Sequence, residues 1–244
     1  MSFEEEAVVY GLNAALAVAT HRPDAIRRVL YENSRIPDIG PLLKETAARR
    51  RPYREIPAAE LERVAKTQHH EGVVVVVDPL PLVDGETFLR DLPRDAVILA
   101  LDGVGNPHNL GAILRSAAWF GADGIIFPVD DPRQATLSSA ALRVAQGGAE
   151  VVPCCGVRDL ASALWHLDDL GITPIGADQR ATRSLFDGPL PKPICLVLGN
   201  EGRGLTPAVA DACRGHVRIP GTGRIESLNV AVTAGILLAA ALGR

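Results

Sequence analysis

Leu198-Gly199-Asn200-Glu201-Gly202-Arg203-Gly204-Leu205 follows the apolar run Ile194-Cys195-Leu196-Val197. A strand that ends in three glycines and a buried-looking carboxylate leaves room for a ligand at the sheet edge. Two other stretches share this design. Upstream, Asn106-Pro107-His108-Asn109-Leu110-Gly111-Ala112-Ile113-Leu114-Arg115 follows the apolar run 97–101. Downstream, Ser227-Leu228-Asn229-Val230-Ala231 opens the longest apolar run, 230–242. Each places a glycine or polar residue where an apolar strand ends or a helix begins.

The chain around these stretches alternates between two periods. Strands are expected at 97–101, 124–128, 150–154, 173–177, 194–198 and 216–219. Helices are expected at 110–120, 138–146, 159–170, 207–212 and 227–242. Such alternation predicts an α/β fold, a mostly parallel sheet with helices on both faces. Thr206-Pro207 reads as a helix start, with the threonine as N-cap and the proline at the first helical position.

Composition shifts before this region. The all-valine run 73–77 suits a strand buried on both faces, and Pro79 and Pro81 then break it. The division expected is a small first domain over 1–80, a linker over 81–95 and a second domain over 96–244. Within the first, helices are expected at 8–19 and 39–50, a strand at 26–31, and a strand end near Ile56 that feeds a short helix.

Of the 244 residues, 47% are hydrophobic and the formal net charge is −4. That charge does not mark a nucleic-acid binder, nor does it exclude one, because local patches attract phosphates. Met1-Ser2-Phe3-Glu4-Glu5-Glu6 lacks the positive start of a signal peptide. The run 230–242 is too short to span a bilayer, so no membrane partner is expected. The four cysteines, including adjacent Cys154 and Cys155, show no metal-type spacing; reduced thiols in a cytoplasm are expected. No serine elbow and no histidine triad stand out, and Cys195 lies inside a strand. Trp119 and Trp165 read as helix core.

Three groups carry candidate chemistry. Arg115 lies on a helix above a sheet edge, as an active-site cation or as part of a salt-bridge network. The spacing of Gly103, Gly105 and Gly111 does not make a dinucleotide loop. Glu201, at the end of an apolar strand, needs a cation if it is buried; Arg115 is the candidate, the alternative being a carboxylate that faces water. Capping accounts for one of Ser227 and Asn229, not both. Gly199 leaves space for a ligand to approach the backbone. In the first part, Arg49, Arg50, Arg51 and Arg54 form a basic cluster, read either as phosphate contacts or as a solvated helix end.

The three stretches, in this order, resemble the signature motifs of the SpoU-type (TrmH-type) RNA ribose 2′-O-methyltransferases. The resemblance extends more weakly to Tyr10-Gly11-Leu12-Asn13-Ala14-Ala15 and Gln68-His69-His70-Glu71-Gly72-Val73. It implies a C-terminal methyltransferase domain whose parallel sheet carries a deep trefoil knot, a feature that sequence physics alone would not propose. It implies a small N-terminal α/β domain, ribosomal-protein-like, that binds the RNA substrate. It implies S-adenosylmethionine held at Gly199, Ile219 and Leu228, with Leu198 and Ala177 in the same pocket. Arg115 matches the principal catalytic position, and Asn109, Glu201, Ser227 and Asn229 match its companions; no metal is implied. The family pattern also implies a homodimer formed through the C-terminal helix, with 110–120 contributing. A base methyltransferase of the same superfamily and a non-catalytic RNA-binding paralogue are the alternatives. Arg224 and Glu226 fit the pattern less cleanly.

Overall fold

The computed structural model describes residues 6–243. Met1–Glu5, most of the acidic start discussed above, lie outside the described residues.

The first part builds a four-stranded sheet. It runs β1 (Ala7–Tyr10), α1 (Leu12–His21), β2 (Ile26–Tyr31), α2 (Gly40–Ala48), β3 (Tyr53–Glu55), α3 (Ala58–Ala65) and β4 (Val73–Val77). The sheet order is β1-β4-β2-β3, with β4 antiparallel to both neighbours and β3 parallel to β2. All five valines of β4 are buried. Val73, Val75 and Val77 face the large core under α1, whereas Val74 packs with Tyr10, Ile56 and Leu61. The helix expected at 8–19 starts later. Val8, Val9 and Tyr10 pair with β4 instead, as β-branched and aromatic residues favour, and the chain turns at Gly11, where φ is 95°.

The stretch 81–95 is not a bare connector. Val83 N donates to the Cys154 carbonyl at 2.8 Å and extends a sheet edge. A short helix follows, α4 (Gly85–Arg90), capped by Asp84, whose carboxylate accepts from Thr87 N at 3.0 Å. Its Phe88 is buried against Gly124.

The second part runs β5 (Val97–Asp102), α5 (Pro107–Phe120), β6 (Gly124–Pro128), α6 (Ser139–Ala145), α7 (Gly148–Val151), β7 (Cys154–Val157), α8 (Leu160–Asp169), β8 (Thr173–Ala177), β9 (Ile194–Gly199), α9 (Pro207–Asp211), β10 (Gly215–Val217) and α10 (Val230–Leu242). The order is β10-β8-β9-β5-β6-β7, parallel throughout. Alternate residues face opposite layers, as strand geometry requires. Leu99, Leu101, Leu196 and Leu198 belong to the core with α5 and α10. Ile98, Ala100, Cys195 and Val197 belong to the core with α8 and α9. The strand expected at 150–154 is mostly the turn of α7, and β7 starts at Cys154. The helix expected from 227 starts at Val230.

One core runs through both parts, joining Val18 and Val75 to Leu99 and Leu142. Polar clasps reinforce it. Arg22 grips Glu150 through Nε at 2.8 Å and Nη2 at 3.1 Å, with side chains only 17% and 5% exposed. Arg143 Nη2 donates to Glu71 at 3.0 Å.

Candidate active site

The site forms where β5 and β9 end side by side, Asp102 paired with Gly199. This is the carboxyl edge of a parallel sheet, next to the strands where the chain order reverses, where ligands of open α/β sheets bind. Asn106 caps α5 through His108 N at 2.9 Å, and Pro107 sits in its first turn. Asn200 and Gly204 exchange backbone hydrogen bonds of 3.0 and 2.8 Å, closing the loop that carries Glu201. The Asn200 side chain does more. Its Nδ2 donates to the Gly103 carbonyl at 2.9 Å, and its Oδ1 accepts from Gly202 N at 3.0 Å and Arg203 N at 3.2 Å. Asn200 thus ties the Glu201 loop to the loop that launches α5. Sequence reasoning passed over it, although an asparagine among glycines is the signal of such a self-bonded turn. Gly199 has a reason other than ligand approach: a Cβ there would run into the backbone of Gly204 and Leu205. Asp102, 3% exposed, accepts from Thr206 N at 2.6 Å and anchors the far end of the same loop.

Glu201 does not pair with Arg115. Its Oε1 accepts from Asn109 Nδ2 at 2.9 Å, from Asn229 Nδ2 at 2.7 Å and from Val230 N at 3.3 Å. Glu201 is also exposed, so water and amide donors replace the cation that a buried carboxylate would need. Asn229 Nδ2 donates in addition to Asn109 Oδ1 at 3.0 Å, while its Oδ1 accepts from Ala231 N at 2.9 Å and caps α10. The cap fixes the amide orientation: the oxygen must face the helix N–H groups, so the nitrogen faces Glu201.

Arg115 is exposed, and its guanidinium makes no hydrogen bond or ion pair among the described residues. Six residues of helix put it about 9 Å along α5 from Asn109 and about 120° around the axis. It shares a face with Gly111, a glycine that helix packing requires. Gly111 is buried against α6, where a Cβ would strike the Ala141 carbonyl. Ser227 is exposed in the loop before α10 and lines the neighbouring cavity.

That cavity, about 330 Å³, lies between the β8, β9 and β10 ends and the start of α10. Ala177, Leu198, Gly199, Ile219 and Leu228 all line it, beside Leu205 and Val217. Its polar lining includes Asp178, Glu201, Glu226 and Ser227 and the arginines Arg180, Arg203 and Arg218. Glu226, unassigned from sequence, therefore faces the cavity. Asn109, Asn200, Glu201 and Val230 border a second recess with Val104, Gly105 and Asn106.

The structure separates the remaining candidates. Arg49 is held by Asp24 at 2.6 Å and Glu45 at 2.5 Å, which raises its pKa. Arg50, Arg51 and Arg54 are exposed around the edge strand β3. Trp119 and Trp165 are not core residues: they are 82% and 50% exposed. Burial pushes the thiols of Cys154 and Cys213 up to about 12, and that of Cys195 well above the usual thiol range. Thiols so shifted are poor nucleophiles.

Comparison with known proteins gives the family. The model of the SpoU rRNA methylase family matches residues 96–239, and the model for RNA 2′-O ribose methyltransferase substrate binding matches residues 8–83. The 23S rRNA (guanosine-2′-O-)-methyltransferase RlmB of Pseudomonas aeruginosa is 36% identical over 235 residues, covering 94% of this chain and 93% of the relative. An uncharacterized tRNA/rRNA methyltransferase, YfiF, of Escherichia coli O157:H7 is 35% identical over 234 residues, covering 96% of this chain and 67% of the relative. Among solved structures, the SpoU methyltransferase AviRb from Streptomyces viridochromogenes in complex with AdoMet superposes with a TM-score of 0.80 at 25% identity, covering 98% of this chain and 89% of that one. With both of its parts matched and the parallel sheet in place, the chain belongs to the SpoU rRNA methylase family.

Proposed function

We propose that the protein transfers a methyl group from S-adenosylmethionine to a ribose 2′-hydroxyl of RNA, ribosomal or transfer. The observation that carries this reading is the Glu201–Asn109–Asn229 cluster at the rim of the 330 Å³ cavity, in a chain of this family. The relatives named for guanosine-2′-O methylation of 23S rRNA favour a ribosomal guanosine.

The cavity residues fit the cofactor. Ala177, Leu198, Val217, Ile219 and Leu228 offer apolar walls, and Asp178 and Glu226 offer carboxylates to a ligand with cationic groups. When bound, the cofactor supplies a methyl group activated by a positively charged sulfur. The difficulty then lies in the weakly acidic hydroxyl. Glu201 Oε1 is saturated by its three N–H donors, while Oε2 makes no hydrogen bond among the described residues. Oε2 is left to accept from an arriving hydroxyl and orient it. Asn109 and Asn229 hold the carboxylate for that task, and Ser227 stands between them and the cavity. Alignment of this kind supplies roughly 7–11 kcal/mol in well-oriented systems. Arg115 stays charged, so its role is to stabilise the alkoxide that develops as the hydroxyl proton passes to Glu201 Oε2. Glu201 does not orient it.

The larger assembly follows the same reading. Residues 1–80 serve as the RNA substrate-binding domain, 81–95 as the connection and 96–244 as the methyltransferase domain. Arg50, Arg51 and Arg54 take phosphate contacts, with Arg49 joining only if it exchanges its carboxylate partners. The C-terminal part of the chain forms a trefoil knot; the loops that meet at the cavity, from strands out of sequence order in the sheet, support it. A homodimer covers the exposed Trp119 of α5 and Val232 of α10, two helices that pack on each other. No helix among the described residues is long and apolar enough to cross a membrane, and the cytoplasm is the compartment where such RNA is reached. Labelled S-adenosylmethionine incubated with the protein and ribosomal or transfer RNA tests the proposal; transfer to neither RNA refutes it.

A further inference from the structure

Arg180, Arg203 and Arg218 come from three separate segments and line one cavity. None of their guanidinium groups makes a hydrogen bond or an ion pair among the described residues. Other arginines of this chain do have such partners. Arg22, Arg49, Arg133, Arg143 and Arg214 are each held by a carboxylate, and acidic residues outnumber basic ones, 29 to 25. The cavity also has carboxylates, Asp178, Glu201 and Glu226, and none of them forms an ion pair with these arginines among the described residues. Asp178 accepts from Arg180 N at 2.8 Å, and Glu201 is held by the two asparagines and Val230 N.

The cofactor proposed for the cavity does not account for three free cations. It has one carboxylate against an ammonium and a sulfonium, so it is cationic overall. Three arginines around a cationic ligand repel it, and each other, unless a polyanion lies alongside. We propose that Arg180, Arg203 and Arg218 form an anion-binding rim that carries the RNA backbone past the mouth of the cofactor cavity. This rests on the methyltransferase reading above. It places phosphate contacts in the second part of the chain, apart from the basic cluster around β3. A guanidinium fork pairs with phosphate oxygens in a bidentate manner, and the loop position of Arg203 puts one such fork two residues from Glu201.

The test uses the full chain and a 23S rRNA transcript as the probe. Filter binding between about 50 and 200 mM salt gives the slope of log affinity against log salt. The triple variant R180Q/R203Q/R218Q is expected to flatten that slope by roughly 2–3, about one counterion per arginine lost. The triple lysine variant should keep the slope, since charge rather than fork geometry sets it. S-adenosylmethionine affinity, by calorimetry, is expected not to fall in either: it should hold in the lysine variant and hold or rise in the glutamine variant, which removes charge that repels a cationic ligand. An unchanged RNA slope in the glutamine variant overturns the proposal. So does a loss of cofactor affinity with the slope intact, because the arginines would then serve the cofactor carboxylate. The same titrations are run with a transfer RNA transcript, and an unchanged slope in the glutamine variant on whichever RNA the protein methylates overturns the proposal. Methylation of neither refutes the underlying reading and the rim with it.

Discussion

Asn229 Nδ2 donates to Asn109 Oδ1 at 3.0 Å, joining residues 120 positions apart in the chain. The same nitrogen donates to Glu201, and the amide oxygen caps α10. One side chain therefore couples the start of the last helix to the geometry of the carboxylate. Asn229→Asp separates the two duties. It preserves the cap, since aspartate caps as well as asparagine, but turns an oxygen toward Glu201. Methyl transfer should fall at least a hundredfold, an order set by the loss of one well-placed donor, with little change in Tm. Asn229→Ala should also lower stability by about 1 kcal/mol. Single-turnover assays and thermal melts on both variants check this; an active Asn229→Asp would remove the cluster from the mechanism.

Arg115 has no partner to lose among the described residues, so removing it should leave folding and cofactor affinity intact. Arg115→Ala should slow the methyl-transfer step by roughly a hundredfold to a thousandfold, and Arg115→Lys should not rescue it, because the planar fork is gone. Near-native single-turnover rates for Arg115→Ala would exclude it as the alkoxide stabiliser.

Trp119, at 82% exposure, is the most exposed large apolar side chain among the described residues. A charge there is expected to open a dimer built on α5 and α10 while leaving the protomer folded. Light scattering should report twice the monomer mass for the unmodified chain and the monomer mass for Trp119→Glu. A monomer at micromolar concentration before mutation contradicts the assembly.

Glu150 is 5% exposed and meets Arg22 through two hydrogen bonds. Removing one partner strands a largely buried charge, at a cost on the order of 3 kcal/mol. Glu150→Ala should lower the midpoint of denaturant unfolding accordingly. Glu71→Ala breaks the more exposed pair with Arg143, and should cost less than about 1 kcal/mol. Equal effects would show that the Arg22–Glu150 clasp does not secure the two parts.

The alternation of apolar runs and helical segments made the parallel sheet readable, because strands buried on both faces leave continuous runs such as 194–198. The β1 strand was not readable. Val8 and Val9 fit either period, and only pairing with β4 decides between them. The motifs brought the right loops together, since glycines and caps mark strand ends locally. Partners across the site were not legible. Charge alone suggests that Glu201 meets Arg115, whereas helix geometry turns Arg115 about 120° away from Asn109 and two amides fill the gap. Gly199 signalled a close approach to its backbone, but the approaching group is the loop's own backbone at Gly204 and Leu205. Helical spacing placed Trp119 on a face that, within one chain, nothing covers.

The atom that receives the methyl group separates ribose from base chemistry. The protein, labelled S-adenosylmethionine and unmodified 23S rRNA are combined, and the product RNA is digested to nucleosides and separated. The label is predicted to appear in a 2′-O-methylated nucleoside, with guanosine the favoured one. Label in a base-methylated nucleoside, with none on ribose, would contradict the central claim.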